Sequence, residues 1–182
     1  MPLRAEVNNG EYPSMSMFER NDYRWRETCF VLFDPDDRPE LGKVEQALST
    51  LNEEYQLLNP GGDDRGLFDS LSLISPGDFS ALDVCYIKGD EVLEQTASMI
   101  DEIGPAACAE AAEAAELPEG IDQIRKYTGR LDVLHFEYVG SGDQQDEDAM
   151  LDPSALLLVL STLAKLTDGV AVDPQSGTII AE

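Results

Sequence analysis

The segment 27–34 constrains the fold most, because it has the pattern of a β-strand that is apolar on both faces. Side chains alternate between the two faces of a strand, so each face has its own set of residues. One face carries Cys29, Val31 and Phe33, and the other carries Phe30 and Leu32. A strand of this kind needs a packed layer on each side. The sequence therefore predicts a central strand of a sheet that is covered on both faces.

The chain has 182 residues, of which 42% are hydrophobic, and this suffices for one hydrophobic core. We expect an irregular N-terminal arm over residues 1–26, rich in aromatic and arginine side chains, and one α+β domain over residues 27–182. No apolar run approaches the roughly 20 residues of a membrane-spanning helix, and the N-terminus lacks the apolar centre of a signal peptide. We therefore expect a cytoplasmic protein.

A long amphipathic helix is predicted after the central strand. Its apolar residues recur at alternating spacings of three and four, and they are Leu41, Val44, Leu48, Leu51, Tyr55 and Leu58. This spacing places them on one face of a helix, which we expect to cover one side of the sheet. A polar, glycine-rich loop should follow over residues 59–66, but it lacks the Lys-Ser/Thr pair of a phosphate-binding loop.

Two further strands are predicted over residues 67–75 and 81–88, and the loop between them has the length of a hairpin turn. The next predicted element is a helix that ends at Gly104. An alanine-rich helix over residues 106–116 and a short helical piece over residues 121–127 are expected to follow. The order so far is strand, helix, strand, strand, helix.

A strand is also predicted over residues 131–139, where Leu134, Phe136 and Tyr138 alternate with polar residues and are expected to face the core. This completes the βαββαβ order of a ferredoxin-like α+β sandwich, which is our predicted fold, with inserted helices. A larger mixed sheet flanked by helices is the alternative.

A C-terminal helix plus β-hairpin is predicted beyond this core. The helix begins at Asp152-Pro153 and is apolar nearly all round, which indicates burial on most of its sides. The pair Leu163-Ala164 with the run Thr167–Gly177 resembles the ends of several bacterial α+β domains of unassigned function, some of them immunity-type proteins. This resemblance implies a bacterial, non-catalytic module, and it assigns no functional residue.

The net charge of −25, from 37 acidic against 12 basic residues, excludes nucleic acid and anionic membranes as partners, because both require clustered cations. Solubility, adaptation to a salty environment and a docking face for a basic protein remain as explanations. The docking face would lie in the stretch between Lys88 and Arg125, which has no basic residue. Its candidate partner-binding residues are Glu110, Glu113, Glu116, Glu119 and Asp122.

His135 is the single histidine, and it shares a strand face with Glu137 about 7 Å away, which is long for an acid–base pair. The alternative function is that of a small hydrolase or transferase. Such an enzyme would use His135, Glu137 and the loops around Asp63 and Asp143. We expect instead an ordinary, half-exposed histidine. One histidine without paired cysteines predicts no zinc site, the acidic loop after Asp143 does not fit a calcium-binding EF-hand, and no cofactor is expected.

The three cysteines, Cys29, Cys85 and Cys108, lie in apolar or acidic surroundings that do not suit a nucleophile, and we expect them to be structural. The sequence as a whole predicts a non-catalytic binding or regulatory module rather than an enzyme. A basic protein is the partner that its charge suits. The oligomeric state stays open, with a homodimer as one option.

Overall fold

The computed structural model describes residues 16–110, 121–140 and 151–182, with the backbone alone over 103–110 and 121–122. These residues form an α+β fold of three α-helices and one open, antiparallel sheet of seven strands. The strands are β1 (Tyr23–Phe33), β2 (Gln56–Gly62), β3 (Phe68–Ser75), β4 (Ser80–Lys88), β5 (Gly129–Tyr138), β6 (Val170–Val172) and β7 (Ile179–Ala181). The helices are α1 (Leu41–Ser49), α2 (Asp90–Glu110) and α3 (Ser154–Thr167). The order in the sheet is β2-β3-β4-β5-β1-β6-β7.

The α+β class predicted from the sequence is confirmed, and so are the β3–β4 hairpin and the final β6–β7 hairpin. A ferredoxin-like core is not confirmed, since seven strands is more than that fold has. Part of the difference comes from β2, which forms an edge strand where the sequence predicted the end of a helix.

The central strand β1 has the two apolar faces that its sequence predicts. On the front face of the sheet, Cys29, Val31 and Phe33 pack in the main core, which is covered by α1 and α3. On the back face, Leu32 and Phe30 pack against side chains of α2. The sheet is therefore the middle layer between helices, and each cover stabilises it by removing apolar surface from water.

The first helix is shorter than predicted, because α1 ends at Ser49 and the chain then turns. The side-chain oxygen of Asn52 accepts the N–H of Glu54 at 2.9 Å, which closes this turn. Tyr55 still reaches the main core, while Leu58 pairs with Ser72 of β3. The apolar residues that the sequence placed on one helix are thus divided between helix α1, the turn after it and strand β2. The predicted loop over residues 59–66 is also partly strand, because β2 continues to Gly62.

Strand β5 packs on both of its faces, whereas the sequence predicted a core on one face alone. Leu131 and Val133 lie in the main core, because they pair with Val31 and Cys29 of β1. Leu134 and Phe136 pack on the back face beneath a 3-10 turn over Met17–Glu19. Both sides of β5 are therefore used, and Tyr138 is an exposed position at its end.

Helices α2 and α3 differ from their predicted forms. Helix α2 continues through Gly104 and Pro105 to Glu110, because the alanine-rich segment that follows has a high helix propensity. The remainder of the predicted helix 106–116 lies outside the described residues. Helix α3 exposes Leu157 and Leu158, so only one side of it is buried. No helix in the described part of the chain is long and apolar enough to cross a membrane.

The N-terminal arm is likewise more ordered than expected where it is described. Strand β1 begins at Tyr23, four residues before the predicted strand, because Tyr23–Trp25 pair with β5 across a bulge. Met17 is buried in the back-face cluster with Ala81 and Phe136. The end of the arm is therefore part of the sheet and its cover.

Candidate functional site

His135 lies on the front face of β5 and is fully buried, so the half-exposed position expected from the sequence is wrong. Its Nδ1 lies 3.0 Å from Glu27 Oε1 on the neighbouring strand β1. Because a carboxylate only accepts, Nδ1 carries the proton of this hydrogen bond. Glu137 does not contact the histidine, and it instead forms ion pairs with Arg24 at 2.9 Å and Arg26 at 3.4 Å.

The partner of His135 that the sequence did not reveal is therefore Glu27, which the β1–β5 register places opposite it. A second neighbour is Ser80 of β4, a diagonal neighbour of His135 on the same sheet face. Ser80 Oγ and His135 Nε2 are both buried, and neither has a hydrogen-bond partner among the described residues. A serine, a histidine and a carboxylate thus lie side by side, but inside the core and without a hydrogen bond from serine to histidine.

Replacing Ser80 tests whether this group is only structural. We expect Ser80→Ala to raise the free energy of unfolding by about 1 kcal/mol, because it removes a buried hydroxyl that has lost its hydration without gaining a partner. The matched control is Ser75→Ala on the paired strand, whose hydroxyl donates to Asp78 at 2.7 Å and whose loss should cost about 1 kcal/mol. Urea unfolding measures both. A destabilised Ser80→Ala variant would show that the hydroxyl has a hydrogen-bond partner in solution. A hydrogen bond between Ser80 and His135 would then again be a candidate.

Asp63, which the hydrolase alternative used, is held by structural contacts. It accepts the N–H groups of Leu67 and Arg65 and lies 3.2 Å from Arg38. The backbone hydrogen bond from Leu67 is the largest cause that lowers the pKa of the Asp63 carboxyl. Asp143 lies outside the described residues.

The two cysteines whose side chains are described have the raised thiol pKa of poor nucleophiles. Burial raises the pKa of Cys29 to about 12, and nearby Glu27 adds to the effect. The pKa of Cys85 is also raised, first by desolvation of its thiol and then by Asp83 and Asp132, although the side chain as a whole is exposed. The side chain of Cys108 is outside the described residues.

The predicted acidic face is described only in part. The side chains of Glu110, Glu113, Glu116, Glu119 and Asp122 lie outside the described residues, so their role stays a prediction. The described part of α2 does carry an exposed acidic surface, formed by Asp90, Glu91, Glu94, Asp101 and Glu102. Arg125 approaches one of these carboxylates, at 3.9 Å from Asp101. The acidic surface therefore extends along α2 on the back of the sheet.

Four exposed aromatic residues lie together at the other end of the back face, and we call them the aromatic patch. They are Phe18 (62% exposed), Trp25 (44%), Phe79 (65%) and Tyr138 (40%). The sheet order β4-β5-β1 brings the ends of these strands together, and two of the four residues flank the buried ring of Phe136. The ring of Phe18 lies edge-on to Phe136 at 4.9 Å, and Trp25 is the strand partner of Phe136.

The remaining contacts of the aromatic patch fix its other members. Phe79 O accepts the N–H of Tyr138 at 2.7 Å, which joins the β3–β4 turn to the end of β5. The Tyr138 ring lies 5.3 Å from the ring of Tyr23, and Trp25 Nε1 donates to Thr28 at 3.1 Å. The patch is therefore a surface built on strands and a tight turn, which hold its residues in defined positions.

Phe79 has an unusual backbone conformation as well as an exposed ring. Its φ is +50°, in the left-handed region that bulky side chains rarely adopt. This conformation costs about 1–2 kcal/mol relative to a residue such as Gly or Asn that tolerates it. A phenylalanine ring that is 65% exposed gains little from burial to offset this cost, which makes Phe79 a candidate functional residue.

The arginine beside the aromatic patch is Arg20, and its charge is paired. Arg24 and Arg26 instead form their ion pairs with Glu137, on the front face of the sheet. Arg20 contacts Asp22 at 2.8 Å and lies over the ring of Tyr23 at 4.9 Å. Aromatic residues and arginine are the types enriched at protein interfaces.

A cavity of about 140 Å³ lies on the same back face, beside the 3-10 turn that carries Phe18. Its lining consists of Ser16, Asn59, Ser70, Leu71, Ser72, Asp83 and Cys85. Asn59 and Cys85 are exposed at its rim, and Ser72 and Asp83 are buried. No basic side chain lines it, so the cavity is unsuited to an anion.

Asp83 is the charged group of this cavity and is 6% exposed. Its Oδ2 accepts Ser16 Oγ and the Met17 N–H, each at 2.9 Å, and its Oδ1 accepts Ser72 Oγ at 2.5 Å. These bonds anchor the 3-10 turn to the sheet. Within the described residues, no cation pairs with this carboxylate. The sequence held no signal for this arrangement, since its residues come from four separate segments.

The described residues contain no group of three or more acidic, histidine or cysteine side chains that could hold a metal ion. No family model, no curated protein and no solved structure matches this chain.

Proposed function

We propose that this protein is a non-catalytic binding module that docks a basic protein partner through the aromatic patch. The observation that carries the proposal is Phe79, an exposed ring in a costly backbone conformation whose carbonyl accepts the N–H of Tyr138, another exposed aromatic residue. Rigid aromatic side chains supply most of the binding energy in many interfaces, because they bury a large area and lose little conformational entropy.

The basic character of the partner follows from the net charge of −25. An acidic protein attracts a basic one over a distance of about 10 Å at moderate salt, which raises the association rate. The exposed carboxylates of α2 lie on the same side of the sheet as the aromatic patch. In this proposal they guide the partner, and the aromatic patch holds it.

The edges of the sheet are poorly suited to binding a partner by strand addition. Edge strand β2 contains Pro60 and is interrupted by register shifts between Leu58 and Gly62. The opposite edge, β7, has three residues. Short or irregular edges do not offer a template for another strand. A partner is therefore expected on a face of the sheet.

The test replaces Phe79 with asparagine, which tolerates a positive φ but cannot supply the ring. We expect Phe79→Asn to keep or raise the free energy of unfolding, by up to about 1 kcal/mol, and to weaken partner binding about tenfold or more. Partners captured from a lysate of the source cells would be purified and titrated against the chain. Emission of Trp25, the single tryptophan, should shift to the blue on binding, because the partner removes water from the aromatic patch.

The matched control is Leu158→Asn on the exposed side of α3, away from the aromatic patch. It removes a similarly exposed apolar side chain and should leave binding unchanged.

Reversing Glu110, Glu113 and Glu116 to Lys should slow association and leave dissociation nearly unchanged. Equal affinity of the wild type and Phe79→Asn for every captured protein would refute the proposed site.

A further inference from the structure

We infer that the cavity around Asp83 binds the ammonium group of a lysine side chain that the partner presents. The inference rests on the proposed function, because the basic partner supplies the lysine. It adds a specific contact beside the aromatic patch, and it assigns a role to a buried carboxylate that pairs with no cation among the described residues.

The acceptors in the cavity match the donors of an ammonium group. A carboxylate has about four acceptor positions, and the three hydrogen bonds to Asp83 leave one of them on Oδ1. The side chains of Ser70 and Asn59 make no hydrogen bonds with other described residues, so their oxygens are also open. An ammonium group has three donors and no acceptor, and these three oxygens suit it.

The size of the cavity also suits the end of a lysine side chain. A volume of about 140 Å³ holds four to five groups of the size of water, since each occupies about 30 Å³. This is room for an ammonium group and the methylene groups next to it. Guanidinium is planar and wider, and its fork of donors suits paired carboxylate oxygens rather than three separate acceptors.

The position of the cavity links it to the aromatic patch. Ser16 and Met17 bind Asp83, and the next residue, Phe18, belongs to the patch. One bound segment can therefore cover both places. A buried carboxylate without a counter-ion gains more from a cation than an exposed one does, because water screens the attraction less.

The test uses the full chain labelled with ¹⁵N and the probe Nα-acetyl-lysine N-methylamide. We expect saturable shifts of the amide signals of Ser72 and Asp83. The same probe acetylated on its Nζ should give none, because it has lost its charge and two of its donors. Asp83→Asn should weaken binding about tenfold, whereas Glu91→Gln, which makes the same change of charge on α2, should leave it unchanged.

Asn59→Asp is a second variant that leaves the anchoring bonds of Asp83 in place. It adds a carboxylate at the rim, at a positive φ that Asp tolerates, and should tighten binding several-fold. Equal binding of the acetylated probe, or affinities that neither variant changes, would overturn the ammonium site.

A further experiment asks whether the partner supplies the ammonium group. The probe n-butylammonium is added to the free chain and to its complex with a captured partner, and the amide signals are recorded for both. We expect the amine to shift Ser72 and Asp83 in the free chain alone, because a lysine of the partner fills the cavity in the complex. Shifts that persist in the complex would overturn the role of the partner's lysine. If Phe79→Asn captures partners as well as the wild type does while the amine still binds the cavity, the proposed function is refuted. The ammonium site in the cavity is then still supported.

Discussion

Gly169→Ala should destabilise the protein by about 3 kcal/mol, because there is no space for a methyl group where the chain leaves α3 and returns to the sheet. A Cβ at Gly169 would lie 2.6 Å from Leu32 O and 2.8 Å from Phe33 Cβ. Both atoms belong to the central strand β1, which is buried and cannot move aside. The left-handed residue that ends α3 is Asp168, so Gly169 is required for this close approach rather than for its φ.

The midpoint of thermal unfolding should fall by about 10 °C, since 1 kcal/mol corresponds to about 2–4 °C in a chain of this size. Gly42→Ala is the control, because a Cβ there meets nothing within 4 Å and the residue lies in helix α1. This variant should be more stable than the wild type by up to about 1 kcal/mol. An unchanged midpoint for Gly169→Ala would mean that α3 does not pack on β1 in this way.

Arg38→Ala should cost about 2–3 kcal/mol, because Arg38 is the buried cation that holds the β2–β3 hairpin. Its side chain is 5% exposed, and its Nε donates to Phe68 O at 2.6 Å. It also pairs with Asp63 and Asp69, and it lies over the ring of Tyr86 at 4.0 Å. Removing it takes this donor from the Phe68 carbonyl and separates Asp63 and Asp69 from the cation that they share.

Arg65→Ala is the matched control, since Arg65 contacts the same Asp63 carboxylate at 3.4 Å but its side chain is 71% exposed. Exposed ion pairs contribute little, so its loss should change the free energy of unfolding by less than about 0.5 kcal/mol. Asn59 and Ser70 of this hairpin line the cavity, and Arg38→Ala should therefore also weaken amine binding. Equal effects of the two substitutions on urea unfolding would contradict the role given to Arg38.

Local patterns in the sequence were enough to predict those features of the fold that depend on neighbouring residues. The alternation in β1 defined its two apolar faces, and the spacing of Pro76 and Gly77 between two apolar runs defined the β3–β4 hairpin. These features depend on side-chain alternation and turn chemistry, which act over a few residues. The α+β class follows from such elements taken together.

Other features depended on partners distant in sequence. Tyr55–Leu58 fits a helical stripe, yet pairing with β3 makes Gln56–Leu58 a strand. The alternation in β5 is apolar on both sides, and only its register with β1 places Leu131 and His135 toward the main core. A strand that can be buried on either face does not specify its orientation by itself.

The sequence by itself determined the central strand, the strong negative charge and the lack of a recognisable catalytic motif in this protein. The tertiary structure decided the sites: it paired His135 with Glu27 instead of Glu137, and it gathered Phe18, Trp25, Phe79 and Tyr138 into one patch. The reason is physical, because the sheet order β4-β5-β1 joins residues more than 100 positions apart, and no short-range pattern records such a pairing.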